Sequence, residues 1–343
     1  MPVCKEKPAL ISLLSAAGIG KLSIALFRRQ RIKLRKVKYF TRSGGAVLAL
    51  EKIKESVHIY KAPTNVGVIT NDDREAVLID TGIDESIARK LLREVEAAGF
   101  HVKYIINTHS HADHIGGNPF ISGRTGALIC ASALETPFIE NTILEPAMLN
   151  GGAFPWKELR NKFLQAKPSS VAKQLSAGPV HLCGLPLEIV SLPGHSLDQI
   201  GVLYDGVLFC GDAYISSSLL DKHGIPYNVD IQSYLASLEK LESFACDWYV
   251  PSHGAPSRDI ASDLACNRSK VIELLEQIDG RLTVPWEAEE LVAQLCSQLG
   301  INAANPGLFF LYRTAVMAYL SYLYEQGRAK TFIQDNRLLW HKQ

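Results

Sequence analysis

The stretch His109-Ser110-His111-Ala112-Asp113-His114 places three imidazoles and a carboxylate within six residues. It follows an apolar run, residues 102–107, with the composition of a buried strand, and it precedes Ile115-Gly116-Gly117, which indicates a turn or the start of a helix. Residues i and i+2 of an extended chain share a face, so His109 and His111 are expected to point together. Asp113 and His114 lie on the turn beyond. The cluster therefore predicts ligands for two adjacent metal ions.

Three more residues of ligand type follow short apolar runs later in the chain. His195 lies in Leu192-Pro193-Gly194-His195-Ser196, Asp212 ends the run that begins at Val207, and His253 ends the run that begins at Trp248. Glycine or proline stands beside each of them, as expected where a strand ends in a sharp turn. We expect these residues to supply the ligands that the six-residue cluster lacks.

Together these motifs resemble the metallo-β-lactamase superfamily of metal-dependent hydrolases. The resemblance covers roughly residues 45–262 and implies an α/β fold, a four-layer αββα sandwich. It also implies seven metal ligands: His109, His111 and His195 for the first metal, Asp113, His114 and His253 for the second, and Asp212 bridging both. Asp80, in Val77-Leu78-Ile79-Asp80, matches an early aspartate that fixes the tautomer and orientation of a ligand histidine.

The donor types indicate which metal and which chemistry to expect. Nitrogen and oxygen donors without a thiolate suit two Zn²⁺ ions, with iron or manganese as alternatives. Two metals about 3.5–4 Å apart can share a hydroxide that attacks a carbonyl, because bound water has its pKa lowered toward 7. We expect Asp113 to orient that hydroxide and take its proton. The seven cysteines contain no C-x-x-C pair and are interpreted as reduced thiols.

The residues after Asp212 bear on the substrate. The sequence there is Ala213-Tyr214-Ile215-Ser216, whereas hydroxyacylglutathione hydrolases carry Gly-Cys-Gly-Arg, and this difference disfavours recognition of glutathione. Persulfide dioxygenases are disfavoured for the same reason, and true β-lactamases lack the aspartate itself. Acyl-homoserine lactonases place a tyrosine three residues after this aspartate. Tyr214, two residues after it, is therefore a candidate catalytic oxyanion donor, and the alternative is a residue of the core.

The N-terminal extension, residues 1–44, has a composition of its own. Residues 1–42 carry a net charge of +10, although the formal charge of the whole chain is only +1. An apolar run at 9–27 precedes a basic stretch, but Lys21 interrupts it and argues against a spanning helix. Peripheral contact of residues 9–38 with an anionic membrane is one hypothesis. The alternatives are a helix packed on the protein and a targeting segment. The rest of the composition is typical of a cytoplasmic enzyme.

Two further regions add to the expected catalytic domain, residues 45–262: one is inserted within it and the other follows it. The chain between His114 and His195 is longer than in compact members of the superfamily, and the additional length is assigned to residues 134–175. We expect this segment to form a lid, an oligomer contact or a brace on the sheet edge. Residues 263–343 form a C-terminal module. Helices are expected at 257–278, 285–299 and 308–326, followed by a hairpin whose turn is Asp335-Asn336. This winged-helix-like tail is not strongly basic, so nucleic-acid binding is not expected, and a pocket wall or homodimer contact is favoured.

These observations predict a binuclear metal-dependent hydrolase of an ester-type acyl bond. A thioester is the favoured small-molecule acyl substrate, as in the hydroxyacylglutathione hydrolases, and a lactone of the acyl-homoserine type is the second candidate. Two alternatives stay open from the sequence: an iron-dependent oxidoreductase with the same fold, and a metal-binding protein without turnover.

Overall fold

The computed structural model describes residues 50–220 and 224–343. The N-terminal extension of residues 1–44, with the membrane contact proposed for 9–38, lies outside these residues. Within the two described ranges, no helix is long and apolar enough to cross a membrane.

The first sheet is built from residues of the N-terminal half of the described chain. Its strands pair in chain order, antiparallel from β1 to β4 and parallel from β4 to β7. They are β1 (Leu50–Lys54), β2 (Val57–Tyr60), β3 (Val66–Thr70), β4 (Glu75–Ile79), β5 (His101–Ile106), β6 (Leu128–Ser132) and β7 (Lys173–Leu175).

The second sheet follows in the chain and has the order β12-β11-β10-β9-β8, with only the β11–β12 pair parallel. Its strands are β8 (Gly178–Leu182), β9 (Leu185–Ser191), β10 (Ile200–Tyr204), β11 (Val207–Gly211) and β12 (Trp248–Pro251). Strand β11 is buried over its whole length, because other layers cover both of its faces.

The helices lie between and after these strands. They are α1 (Glu85–Ala97), α2 (Ala112–Ile115), α3 (Asn118–Thr125), α4 (Thr136–Glu140), α5 (Leu144–Leu149), α6 (Ser217–Leu220), α7 (Ile231–Glu242), α8 (Ala261–Arg281), α9 (Ala288–Gln298) and α10 (Pro306–Glu325). Sequence-encoded caps define several of their starts: the Asp84 carboxylate accepts backbone N–H groups at the start of α1, and Asp230 does so for α7.

Two hydrophobic layers identify the architecture. Between the sheets, Ile69 and Val77 of the first sheet share one core with Val202 and Phe209 of the second. Outside the first sheet, the apolar stripe of α1 packs against β3, β4 and β5, and α7 packs on the outer face of the second sheet. Helix, sheet, sheet and helix are therefore stacked in that order. The predicted four-layer αββα sandwich is confirmed.

The C-terminal module consists of α8, α9, α10 and a hairpin of β13 (Ala329–Gln334) and β14 (Arg337–Lys342). Asp335 and Asn336 both have positive φ, as the two central residues of a type I′ hairpin turn require. Buried residues of α8 and α10, such as Leu274 and Tyr319, share one hydrophobic cluster with α7. The predicted helical module is present, and its core is continuous with the outer layer of the second sheet.

The segment predicted as a lid, residues 134–175, contains α4, α5, a 3-10 turn at Lys157–Leu159 and the edge strand β7. Its apolar residues Leu149, Leu159 and Leu164 form a small cluster with Phe310 and Leu311 of α10. The segment thus packs against the C-terminal module at one end and pairs with the first sheet at the other. Its role as a lid stays a prediction.

Gly116, directly after α2, lies in close contact with the backbone of Ile83. A substitution there tests the fold around the histidine cluster. A Cβ there would lie 2.0 Å from the Ile83 carbonyl oxygen, and a side-chain rotation cannot relieve a clash with backbone. Gly116→Ala should therefore lower the free energy of unfolding by about 3 kcal/mol in urea denaturation, as strong overpacking does. The matched control is Gly123→Ala in α3, where a Cβ meets nothing within 4 Å. It should raise stability by up to about 1 kcal/mol, and equal effects of the two changes would contradict this description.

Candidate metal centre

The predicted ligands lie where strands of both sheets end. His109 follows β5, His111 stands just before α2, and Asp113 and His114 lie in α2. His195, Asp212 and His253 follow β9, β11 and β12, respectively. Tight turns make this convergence possible: Gly194 has φ +127°, and a Cβ there would lie 2.4 Å from the Tyr234 backbone. The structure brings all seven predicted ligands together at one edge of the sandwich.

The first ligand trio is His109, His111 and His195. The Nδ1 atom of His111 lies 2.9 Å from His109 Nε2 and 3.0 Å from His195 Nε2, so three nitrogens face one point. Burial, with the neighbouring imidazoles, lowers the pKa of His111 to about 3 and that of His109 well below its ordinary value. Both rings are therefore neutral near pH 7, the form in which imidazole binds a metal.

The second ligand trio is Asp113, His114 and His253. One carboxylate oxygen of Asp113 lies 3.2 Å from His253 Nε2 and 3.6 Å from His114 Nε2. Charge from Asp212, against the opposing effect of burial, raises the pKa of His253 to about 10. Burial would lower the pKa of His114, but Asp113, Asp80 and Asp212 together raise it.

Asp212 lies between the two trios. Its Oδ2 atom is 3.4 Å from His195 Nε2 of the first trio, and 3.6 and 3.5 Å from the Nε2 atoms of His114 and His253 of the second. Burial alone would raise the pKa of Asp212, but the charges of His253 and His114 hold it well below its ordinary value. A carboxylate in this position can bridge two cations.

Unpartnered atoms show that the residues fit metal ions. His114 Nε2 and Asp212 Oδ1 are buried and have no hydrogen-bond partner among the described residues. Buried polar atoms without a partner cost free energy, and a coordinated cation would satisfy both. Nitrogen and oxygen donors in two adjacent trios suit ions such as zinc, iron or manganese. The fold thus presents a ready donor set.

Outer contacts hold the ligand rings in place. The Asp80 carboxylate accepts hydrogen bonds from His114 Nδ1 at 2.8 Å and from the backbone N–H and hydroxyl of Thr108 at 2.8 Å. Asp80 itself adopts φ +65°, a strained conformation that these bonds maintain. His114 is therefore oriented by the aspartate that the family resemblance singled out.

Three residues near the metal ligands were not found from the sequence. Glu135 accepts hydrogen bonds from Ser110 and Ser196, and so ties together the two loops that carry the first trio. The ring of Tyr227 packs edge-on against His111 and His195 at 5.5 and 5.7 Å, and Glu145 faces His111. Nothing in the local sequence marks these residues, because only the packing of distant segments brings them to the centre.

The candidate oxyanion donor Tyr214 does not join the ligand set. Its side chain is 2% exposed and lies in the hydrophobic cluster of α7, α8 and α10, and its hydroxyl has no hydrogen-bond partner among the described residues. Burial raises the pKa of the Tyr214 hydroxyl, and the neighbouring Cys210 and Asp263 raise it further. The chain turns at Gly211, with φ +58°, and directs Tyr214 into this core. The structure therefore favours the alternative of a core residue.

The comparisons with known proteins agree with this fold. The family model of the metallo-beta-lactamase superfamily matches residues 59–253, and the chain belongs to this superfamily. A beta-lactamase domain protein from Burkholderia ambifaria has a similar structure, with a TM-score of 0.68 at 20% identity over 88% of this chain and 95% of that one. A metallo-beta-lactamase family protein from Thermus thermophilus gives 0.67 at 20% identity, over 85% of this chain and all of that one.

Curated relatives are distant. A lactamase-like protein adaB of Aspergillus niger is 24% identical over 71% of this chain and 69% of its own length. A hydroxyacylglutathione hydrolase of Vibrio cholerae is 25% identical over 58% of this chain and 65% of its own length. The superfamily is one of metal-dependent hydrolases, and the fold and the ligand geometry agree with that class.

Two tyrosines of one hydrophobic cluster test the placement of Tyr214. Tyr214→Phe removes a buried hydroxyl without a partner, so stability should stay the same or rise, and metal content should not change. Tyr234→Phe removes a 2.7 Å hydrogen bond to Asn267 and should cost about 1 kcal/mol in urea denaturation. Loss of bound metal or of kcat on Tyr214→Phe would show that its hydroxyl reaches the metal centre after all.

Proposed function

We propose that the protein is a binuclear metal-dependent hydrolase of an ester-type acyl bond, with zinc as the metal. One observation carries the proposal: the Asp212 carboxylate lies 3.4–3.6 Å from imidazole nitrogens of both ligand trios. A single shared carboxylate between two donor sets is the arrangement of two-metal hydrolytic sites. When bound, the two cations polarise a carbonyl and lower the pKa of water toward 7.

The chain's own residues would position the reacting groups. Burial alone would raise the pKa of Asp113, but the charge of His114 and the contact with His253 hold it below the ordinary value, so the carboxylate stays ionised. Its Oδ2 atom accepts a hydrogen bond from the Thr64 hydroxyl at 3.0 Å, and about a third of the side chain is exposed. A carboxylate that is fixed, ionised and open to the substrate can orient a water molecule and hold its proton.

Similarity and sequence support the substrate class. Hydroxyacylglutathione hydrolases, named for a thioester substrate, are among the similar curated proteins. The Ala213-Tyr214-Ile215 stretch after Asp212 differs from the pattern of that subfamily, so the thiol portion need not be glutathione. We therefore place thioesters first and lactones second.

Metal content tests the binuclear centre. After loading with Zn²⁺ and gel filtration, the full chain should contain about two zinc ions, one for each ligand trio. His253→Ala should reduce this to about one, since only the second trio loses a ligand, whereas Asp212→Ala should lower occupancy at both positions. His101→Ala changes an exposed histidine on β5 and serves as the control. A wild-type protein that holds one zinc would contradict the binuclear proposal.

Hydrolysis tests the reaction and its substrate class. The zinc-loaded protein should cleave thioesters fastest in a panel that also contains lactones, phosphodiesters and β-lactams. Asp113→Asn should lower kcat by about 100-fold or more, the range for loss of a positioned proton acceptor. The control Asp73→Asn changes an exposed loop aspartate and should leave kcat unchanged. Cleavage of phosphodiesters or β-lactams alone would refute the acyl-ester assignment, and oxygen uptake by an iron-loaded form would favour an oxidoreductase.

A further inference from the structure

The five ligand imidazoles differ in whether the outer ring nitrogen has a hydrogen-bond partner. In each ring one nitrogen faces the metal position and the other faces the protein. Four of the outer nitrogens lie within 3.0 Å of an oxygen of the protein. The pairs are His109 with the Thr108 hydroxyl at 3.0 Å, His114 with Asp80 at 2.8 Å, His195 with the Tyr227 carbonyl at 2.9 Å and His253 with the Pro63 carbonyl at 2.9 Å.

His111 is the exception. Its Nδ1 atom faces the other nitrogens of the first trio, so in the neutral ring the proton must lie on Nε2. That N–H group has no hydrogen-bond partner within 3.5 Å among the described residues. The oxygen in front of it is Oε1 of Glu145, at 3.8 Å, and no other carboxylate of the described residues lies within 4.0 Å of His111.

Glu145 is an unusual residue for its position in α5. The residue is 7% exposed, and its carboxyl group accepts no hydrogen bond from the described residues. Glutamate is rarely buried without a hydrogen-bond partner, because burial of an unpartnered carboxyl group costs free energy. Beside it is a small pocket that opens to solvent and is bordered by His111, Phe138 and Met148. A shift of about 1 Å by the Glu145 side chain would bring Oε1 within hydrogen-bond distance of His111 Nε2.

We propose that Glu145 is the positioning residue of His111: an oxygen of its carboxyl group accepts the Nε2–H and fixes the ring so that Nδ1 faces the first metal. The inference rests on the metal centre of the proposed function. It completes a pattern in which every ligand imidazole has an outer acceptor, and such acceptors raise ligand basicity and metal affinity. It also gives the segment 134–175 a second role, since α5 within it supplies this contact.

A positioning role and a purely structural role of Glu145 predict opposite effects on the metal-free protein. If Glu145 serves the metal, Glu145→Leu removes a buried carboxyl without a partner, so metal-free protein should be as stable as wild type or more stable. If Glu145 instead stabilises α5, the same change should lower the melting temperature of metal-free protein. Metal affinity and metal-free stability therefore have to be measured on the same variants.

The experiment measures zinc affinity by competition with a chromophoric chelator, together with the visible spectrum of the Co²⁺-substituted protein. Glu145→Leu should weaken the first zinc site by about 10- to 100-fold, the usual effect of losing an outer acceptor, and should alter the Co²⁺ spectrum. Glu145→Gln keeps an acceptor oxygen and should recover most of the affinity. Glu140→Gln in α4, which bonds only the Val171 backbone N–H, is the control from the same segment. Repeating the titration in His253→Ala protein assigns the effect to the first trio.

Wild-type zinc affinity and an unchanged Co²⁺ spectrum in Glu145→Leu would overturn the inference. So would a fall in metal-free melting temperature, because that result marks a structural role. These outcomes are separable from failure of the proposed function. If wild-type protein binds two zinc ions but hydrolyses no acyl ester, the proposed function is refuted and the Glu145 test is unaffected. If wild-type protein hydrolyses acyl esters but the Glu145 variants keep wild-type zinc affinity, only the inference about Glu145 is refuted.

Discussion

The structure depends on one electrostatic constraint: two ionised aspartates and five imidazoles share one buried edge of the sandwich. Asp212 lies within 3.6 Å of nitrogens from both trios, and the neighbouring carboxylates raise the pKa of His253 and, against the effect of burial, that of His114. Such a cluster is costly to bury without cations, since each charge loses its hydration. The fold assembles it from four strand ends, so the sandwich and the centre must form together.

The loops around this edge are fixed from outside by a few buried acids. Asp80 joins His114 to Thr108, and Glu135 joins the loop of His109 and His111 to the loop of His195 through Ser110 and Ser196. Glu145 adds a third acid beside His111, where burial, with Glu135 nearby, raises its pKa to about 8. Orientation of the ligands is therefore shared between the first sheet and the segment 134–175.

Local sequence signals predicted much of this architecture. Helix α1, Glu85–Ala97, is one example, because its apolar stripe and the Asp84 cap are both encoded within one short segment. The Asp335-Asn336 turn likewise specified its hairpin. The seven ligands come together because each lies on a segment that follows a strand, and the ends of these strands meet at one edge. Their roles as ligands stay predictions of the family resemblance.

Contacts between distant segments could not be predicted in this way. Tyr214 is two residues from Asp212 in sequence, yet the turn at Gly211 sends its ring into the cluster under α8. Tyr227 and Glu145 are far from the six-residue cluster in sequence and still meet His111. Their positions depend on how α5 and α10 pack, which no local periodicity encodes.

The central claim is that Asp212 bridges two cations. A crystal structure of zinc-loaded protein, with anomalous differences measured at the zinc edge, tests it most directly. We expect two anomalous peaks about 3.5–4 Å apart, one within each ligand trio, with Asp212 between them. A single peak, or a second peak away from His114 and His253, would contradict it.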